Sequence, residues 1–155
     1  MLILGTPQTL RIGLTAGLVG VSIGLFCGLV AGYFGGVLDA VIRVFSDSLM
    51  TVPGIAILLV IAINVGHMTV EMMGFTVAAL SWMYPTRQIR AQVLSIRERP
   101  YVSVARANGA SEFEIVFREI MPNLLPYVAA SFVAATSGAM LASVGLEALG
   151  LGTND

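Results

Sequence analysis

The sequence contains no lysine, so all eight of its basic residues are arginines. Without lysine there is no phosphate-binding loop ending in Gly-Lys-Ser/Thr, and no Schiff-base or Ser-Lys hydrolase chemistry. The single cysteine, Cys27, and the single histidine, His67, exclude a disulfide framework and leave too few ligands for a metal cluster. We therefore expect no catalytic residue, no cofactor and no metal in this chain, and no ATP hydrolysis by the chain itself.

Charged residues are also scarce: they make up 11% of the chain, whereas a soluble domain usually has about a quarter. Apolar residues reach 57% and the mean hydropathy is +0.90, which is more apolar surface than one core of a 155-residue chain can bury. The composition therefore predicts a lipid bilayer around most of the protein. The net charge of -1 excludes a basic nucleic-acid-binding domain, so we expect no nucleic-acid partner.

Four windows with few or no charges are long enough for transmembrane helices, since crossing the hydrocarbon core takes about 20 apolar residues. We predict an all-α fold: a polytopic bundle of transmembrane helices that forms one domain over residues 1–155. Pro53 and Pro85 fall inside the second and third windows, where each should kink its helix. The predicted spans lie near residues 10–34, 40–66, 69–94 and 123–147.

The arginines predict the orientation of these spans. Six of the eight lie between Arg87 and Arg118, and Arg43 lies in or near the connection between the first two spans. If the spans alternate in direction, seven arginines share one face, which the positive-inside tendency makes cytoplasmic. Both ends of the chain then lie outside, and we expect a further span to precede residue 1.

Glycines recur every four residues along the first span, at Gly20, Gly24, Gly28 and Gly32. This spacing places them on one stripe of a helix, where another backbone can approach closely. We expect the stripe to pack against a neighbouring span of the same chain, and a seam between copies in an oligomer is the alternative.

A short helix, a turn and a second helix are predicted on the cytoplasmic side, in a loop over residues 97–122. Pro100 suits the first helical position, and Gly109 suits the left-handed residue that ends a helix. Ser111 and Glu114 have the spacing of a capping box, which indicates the start of the second helix.

The second helix is predicted to be amphipathic, because Phe113, Phe117 and Ile120 are spaced four and three residues apart. A helix pair of this kind suits docking into a partner's groove. It also suits a helix that lies against the lipid headgroups, and the residues by themselves leave both interpretations open.

Residues 105–111 read A-R-A-N-G-A-S, and residues 122–126 read P-N-L-L-P. This pattern resembles the cytoplasmic EAA loop of ABC-importer permeases of the oligopeptide/dipeptide/nickel family. Two further segments, 31–36 with Asp39 and 149–152, resemble other motifs of that family. The loop residues that match are Ala105, Arg106, Ala107, Gly109, Ala110, Ser111, Pro122, Asn123, Leu125 and Pro126.

The resemblance implies a permease subunit that forms the path for peptides or a similar small solute, nickel included, across the inner membrane of a prokaryote. It implies four kinds of partner: a second homologous permease subunit, two cytoplasmic ATPase subunits that bind the ATP, an extracytoplasmic substrate-binding protein, and the lipid bilayer. The implied mechanism is alternating access, driven by the ATPases through the loop. The residues implied to dock the ATPase are Tyr101, Ser103, Ala105, Arg106, Gly109, Ser111, Phe113, Phe117, Pro122 and Pro126.

The chain departs from the family pattern at the start of the loop. Ser103 and Val104 replace the glutamate and first alanine of the signature, so an ionic contact of that glutamate is lost or comes from Arg106, Glu98 or Arg99. The family has about six spans, and the chain looks like a fragment that lacks the first and the last. The alternatives are a permease of another ABC-importer family, a membrane scaffold without transport, and a secondary transporter, which would need ionisable residues in mid-span.

Several other side chains have a predicted place. Asp47 lies one turn after Arg43, so we expect an ion pair within one helix. Glu147 should be solvated at the outer boundary. Trp82 and Tyr84 should anchor at the headgroup level, and a role in lining the substrate path is the alternative for these two rings.

Overall fold

The apolar runs of the sequence form helices that end at glycines and prolines. The computed structural model describes residues 2–66 and 68–150, so His67 and the 151–152 part of the last motif lie outside the described residues. The described residues confirm the all-α fold. Their helices are α1 (Leu2–Phe34), α2 (Gly36–Met50), α3 (Gly54–Val65), α4 (Val70–Ser81), α5 (Met83–Ile96), α6 (Pro100–Ala107), the single turn α7 (Glu112–Glu114), a π-helical segment (Ile115–Ile120) and α8 (Met121–Ala148).

Within residues 2–66 and 68–150, two stretches are long and apolar enough to cross a membrane by themselves, Thr6–Phe34 and Glu112–Ala148. Helices α2 and α3 supply a third crossing if the bent pair is counted as one span, and α4 is apolar but shorter. The first and fourth predicted spans, 10–34 and 123–147, therefore each lie within one helix.

The second and third predicted spans, 40–66 and 69–94, are each divided into two helices rather than merely kinked. α2 and α3 meet at a bend of 70°, because Pro53 has no N–H to continue a helix and also restricts the residue before it. α4 ends at Ser81 for a related reason: Pro85 cannot donate to the Ser81 carbonyl four residues earlier.

α1 packs against α4, α5 and α8, and the glycine stripe lets it lie very close to two of them. A methyl group added at Gly28 would lie 2.9 Å from the Cβ atom of Ile89, which is closer than real Cβ contacts come. The stripe therefore lies in an interface within the chain, where α1 meets α4 and α5. Its other contacts follow the same four-residue step: Gly20 faces Ser81, Gly24 faces Pro85, and Gly32 faces Val93.

Two hydrophobic clusters hold the helices together. One surrounds Ile12, Met73 and Ala139, where α1, α4 and α8 meet. The other joins α6 and the π-helical segment to the ends of α1, α5 and α8, so the loop over residues 97–122 is packed onto the bundle. Its buried members are Tyr33, Ile89, Val93, Ile96, Val102, Ile115, Ile120 and Leu124.

Two ion pairs connect α2 with α5. Arg90 donates from Nε and Nη2 to the two oxygens of the Asp39 carboxylate, and the distance from Nη2 to Oδ2 is 2.7 Å. About four-fifths of each of these two side chains is buried. Asp47 lies 3.8 Å from Arg87, so the expected pair between Asp47 and Arg43 is wrong. The reason is tertiary: α2 contacts α5, whose arginines lie nearer to the acidic side chains than a partner one turn away.

Candidate functional site

The helix pair that the sequence predicts on the cytoplasmic side begins with α6, whose two ends form as predicted. Pro100 occupies the first helical position, where its missing N–H needs no partner. The N–H of Gly109 donates to the Arg106 carbonyl, and that of Ala110 donates to the Ala105 carbonyl, both at 3.1 Å. These bonds form a Schellman motif, in which Gly109 has a φ of 82°. A residue with a side chain is strained at this φ, so the turn depends on glycine.

The second helix begins at the predicted capping box. The Ser111 hydroxyl accepts from the N–H of Glu114 at 3.3 Å, and the Glu114 carboxylate accepts from the N–H of Ser111 at 2.9 Å. These bonds satisfy two N–H groups at the helix start and fix the direction in which the helix leaves the turn. The turn and the cap together therefore set the angle between the two short helices.

The face of the second helix differs from the prediction, because its middle is π-helical. A π-helix bonds residues five apart, so Ile115 and Ile120 share one side, and both are fully buried. Phe113 and Phe117 are 76% and 57% exposed, and their rings stack with centroids 6.0 Å apart. The expected single stripe of Phe113, Phe117 and Ile120 is therefore wrong: the phenylalanines face outward while Ile120 anchors the helix.

The buried side of the pair attaches it to the membrane helices. Val102, Ile115 and Ile120 have no exposed surface and belong to one cluster with Ile89 and Val93 of α5. Burying an aliphatic side chain of this size stabilises a fold by about 1.5–3 kcal/mol. Three such anchors therefore hold the pair firmly to α5 and the neighbouring helix ends.

Polar contacts add a second attachment, at the end of α1. The Tyr33 hydroxyl donates to the Glu112 carboxylate, and the Arg106 guanidinium lies at the same hydroxyl. The hydrogen bond with Tyr33 raises the pKa of Arg106. Arg97 donates from Nη1 to the Gly32 carbonyl at 2.9 Å, where a cation suits the negative end of α1.

Tyr33 and Glu112 are site residues that the sequence interpretation missed. The position of Tyr33 in the sequence was the available signal, since it lies at the C-terminal end of the first span, inside the 31–36 segment that resembles a family motif. Arg106, one of the residues expected to compensate for the missing glutamate, reaches this acidic contact through Tyr33.

Most of the predicted docking residues lie on the exposed side of the pair. Ala105 is half-buried. Pro122 and Pro126 are exposed but belong to α8, beyond the pair. The exposed members within the pair are Tyr101, Ser103, Arg106, Gly109, Ser111, Phe113 and Phe117.

Residues 21–154 match the protein family described as binding-protein-dependent transport system inner membrane component. The match covers α1 from residue 21 onward and every helix from α2 to α8. The chain belongs to this family. Its members are inner-membrane permease components, which places the chain in the inner membrane as a multi-pass protein and agrees with its long apolar helices.

Two oligopeptide transport system permease proteins, both OppC, are similar to nearly all of the chain. The one from Lactococcus lactis subsp. cremoris is 31% identical over 152 residues, which are 98% of this chain and 52% of that protein. The one from Mycobacterium bovis is 26% identical over 149 residues, which are 96% of this chain and 51% of that protein. The chain thus spans about half the length of these relatives.

Proposed function

We propose that the chain is the permease subunit of an ATP-driven importer that carries peptides across the inner membrane. Membership of the family supports a role in binding-protein-dependent transport, and the relatives named above are oligopeptide permeases. Their names favour peptides over nickel as the solute. The chain itself binds no cofactor in this proposal, because ATP belongs to partner subunits.

The proposed assembly contains a second homologous permease subunit, two cytoplasmic ATPase subunits and an extracytoplasmic substrate-binding protein. Closure of the ATPases moves the helix pair, which consists of α6 and the second helix formed by α7 and the π-helical segment. The buried anchors and the contact between Tyr33 and Glu112 then pass that movement to α5 and α1. The path through the membrane opens alternately to the two sides.

The observation that carries ATPase docking is the exposed pair of phenylalanines. Phe113 and Phe117 stack on each other above a helix that is anchored from beneath. A buried aromatic side chain removes roughly 150–250 Å² from water, and aromatic residues in a pocket are frequent energetic centres of protein interfaces. A rigid support also lowers the entropy lost on binding.

Charge favours a protein groove over lipid headgroups as the surface that covers these rings. The stretch around them carries Glu112, Glu114 and Glu119 against one arginine, Arg118. Helices that lie on membranes usually have Lys and Arg on the polar face, because the cytoplasmic leaflet is negative. An acidic stretch is repelled by that leaflet, so a partner groove with a basic rim suits it better.

Replacing both rings, Phe113→Ser with Phe117→Ser, tests the docking. Because both side chains are exposed, we expect near-normal abundance in the membrane. Recovery of the ATPase with tagged chain should fall about tenfold or more, since interface aromatics commonly contribute over 1 kcal/mol each. Phe75→Ser, at a ring of α4 that is as exposed as that of Phe117, is the matched control and should leave recovery unchanged. Equal ATPase recovery by wild type and both variants would favour the headgroup interpretation.

A further inference from the structure

A group of polar side chains lies on the outer surface where α2 and α5 meet. Arg87 and Asp47 are 3.8 Å apart, and their side chains are 66% and 45% exposed. Next to Arg87, Gln88 donates from Nε2 to the Tyr84 hydroxyl at 3.1 Å and accepts at Oε1 from Ser131 of α8 at 2.9 Å. We call Asp47, Tyr84, Arg87 and Gln88 the polar face.

The glycine stripe gives the depth of the polar face in the membrane. Pro85 packs on Gly24 and Ile89 packs on Gly28, so Arg87 lies level with residues 24–28 of α1. This level is the middle of the charge-free stretch 12–38. It differs from the sequence expectations, which put Arg87 on the cytoplasmic face and Tyr84 at the headgroup level. Arg87 is also nine residues, or about 14 Å at about 1.5 Å per residue, from the end of α5.

The two sides of the bundle differ at this depth. On α1, Phe26 is 70% exposed and Ile23 is also exposed, as expected of a surface against lipid. Exposed charges at the same level are unfavourable against lipid, and ionisable side chains inside membranes almost always face protein or a water-filled cavity. The pair formed by Asp39 and Arg90 differs from the polar face, because those two side chains are mostly buried.

The polar face continues into a cavity. Tyr84 and Ser131 line a space of about 590 Å³ between the bend of α2 and α3, helix α5 and helix α8. Ser81 of α4 is a third polar lining residue, and the other walls are apolar and include small residues such as Ala135 and Gly138. A cleft of this size falls in the range of small-molecule sites, which are mostly apolar with a few polar groups at fixed positions.

We propose that the polar face lines the water-filled path along which the solute crosses the membrane. This inference rests on the proposed function. The Arg87 and Asp47 pair gives the path one charge of each sign, which suits a zwitterionic solute such as a peptide with free ends. The alternative is that the second permease subunit, or another segment of the chain, packs against the polar face and excludes water from it. The test below distinguishes the two.

Single cysteines test whether water reaches the polar face. Gln88→Cys and Tyr84→Cys, each in a Cys27→Ala background, are compared with Phe26→Cys and Ile23→Cys at similar depth in the assembled transporter. The probe is a charged, membrane-impermeant methanethiosulfonate, which reacts with the thiolate and therefore requires water. We expect both polar-face cysteines to react about tenfold faster than the controls, and a transported peptide to slow them. Rates as slow as those of the controls would overturn the inference.

Charge removal supplies a second, independent measurement. Arg87→Gln should reduce peptide uptake about tenfold or more at unchanged membrane abundance, because a charge inside the path contacts the solute. Arg90→Gln is the matched control and should lower abundance instead, since it leaves Asp39 buried without its partner. Normal uptake by Arg87→Gln would overturn the inference. Absence of ATP-driven peptide uptake by the wild type would overturn the proposed function, whereas the cysteine rates would still decide whether the face is aqueous.

Discussion

Gly109→Ala should weaken attachment of the ATPase while leaving insertion into the membrane intact. A Cβ atom added at Gly109 would meet no other atom within 4 Å, so the substitution creates no clash with neighbouring residues. Its cost is the backbone: at a φ of 82°, a residue with a side chain is disfavoured by roughly 1–2 kcal/mol. The second helix can relieve this strain only by changing its angle to α6.

A change of that angle moves Phe113 and Phe117 away from the ATPase groove. A strain of 1–2 kcal/mol corresponds to an approximately 5- to 30-fold smaller population of the docking-competent loop, and the apparent affinity for the ATPase falls by the same factor. Gly109→Val should reduce the affinity further, because a β-branched side chain is strained more strongly at positive φ.

Gly145→Ala is the matched control, since a Cβ atom added there also meets nothing within 4 Å. Gly145 lies inside α8 without a positive φ, so alanine should stabilise the helix by about 0.5–1 kcal/mol. The assay is binding of the purified ATPase to each variant at equal membrane levels, together with peptide uptake. Unchanged ATPase affinity and uptake in Gly109→Val would refute the reasoning.

Three further predictions concern the anchoring, the packing and the orientation of the chain. Tyr33→Phe removes a hydrogen bond to a charged group worth about 1.5–3 kcal/mol, so peptide transported per ATP hydrolysed should fall, and an unchanged ratio would count against this link. Gly28→Leu should sharply reduce membrane abundance on immunoblots because α1 cannot approach α5, whereas Gly145→Leu, in open space, should not. Single cysteines at Ser103 and Glu71 should react with an impermeant thiol reagent from opposite sides of sealed vesicles, and reaction from one side would contradict the orientation.

The features that the sequence predicts correctly are those set by neighbouring residues. Pro100 begins α6, Gly109 ends it with a positive φ, and Ser111 caps the next helix through Glu114. Each of these depends on the stereochemistry of a few consecutive residues, so one sequence suffices to find it. The glycine spacing in α1 is equally visible, because residues four apart share a helix face whatever the partner is.

The features that the sequence does not predict are tertiary. Ile115 and Ile120 are both buried against the bundle, and the segment between them is π-helical. A pattern of residues three and four apart assumes an α-helix, so it does not predict that Ile120 shares a side with Ile115. Asp47 pairs with Arg87 because α2 contacts α5, and nothing near Asp47 in the sequence indicates that contact. Tyr33 finds its partner far along the chain for the same reason.

Peptide uptake by proteoliposomes tests the central claim most directly. The transporter, purified with its ATPase and second permease subunit, is reconstituted with and without this chain, and a labelled peptide is added outside with the binding protein. The account predicts that the peptide accumulates only when this chain is present and ATP is supplied to the ATPase. Accumulation that is the same without this chain, or no ATP-dependent accumulation with it, would contradict the claim.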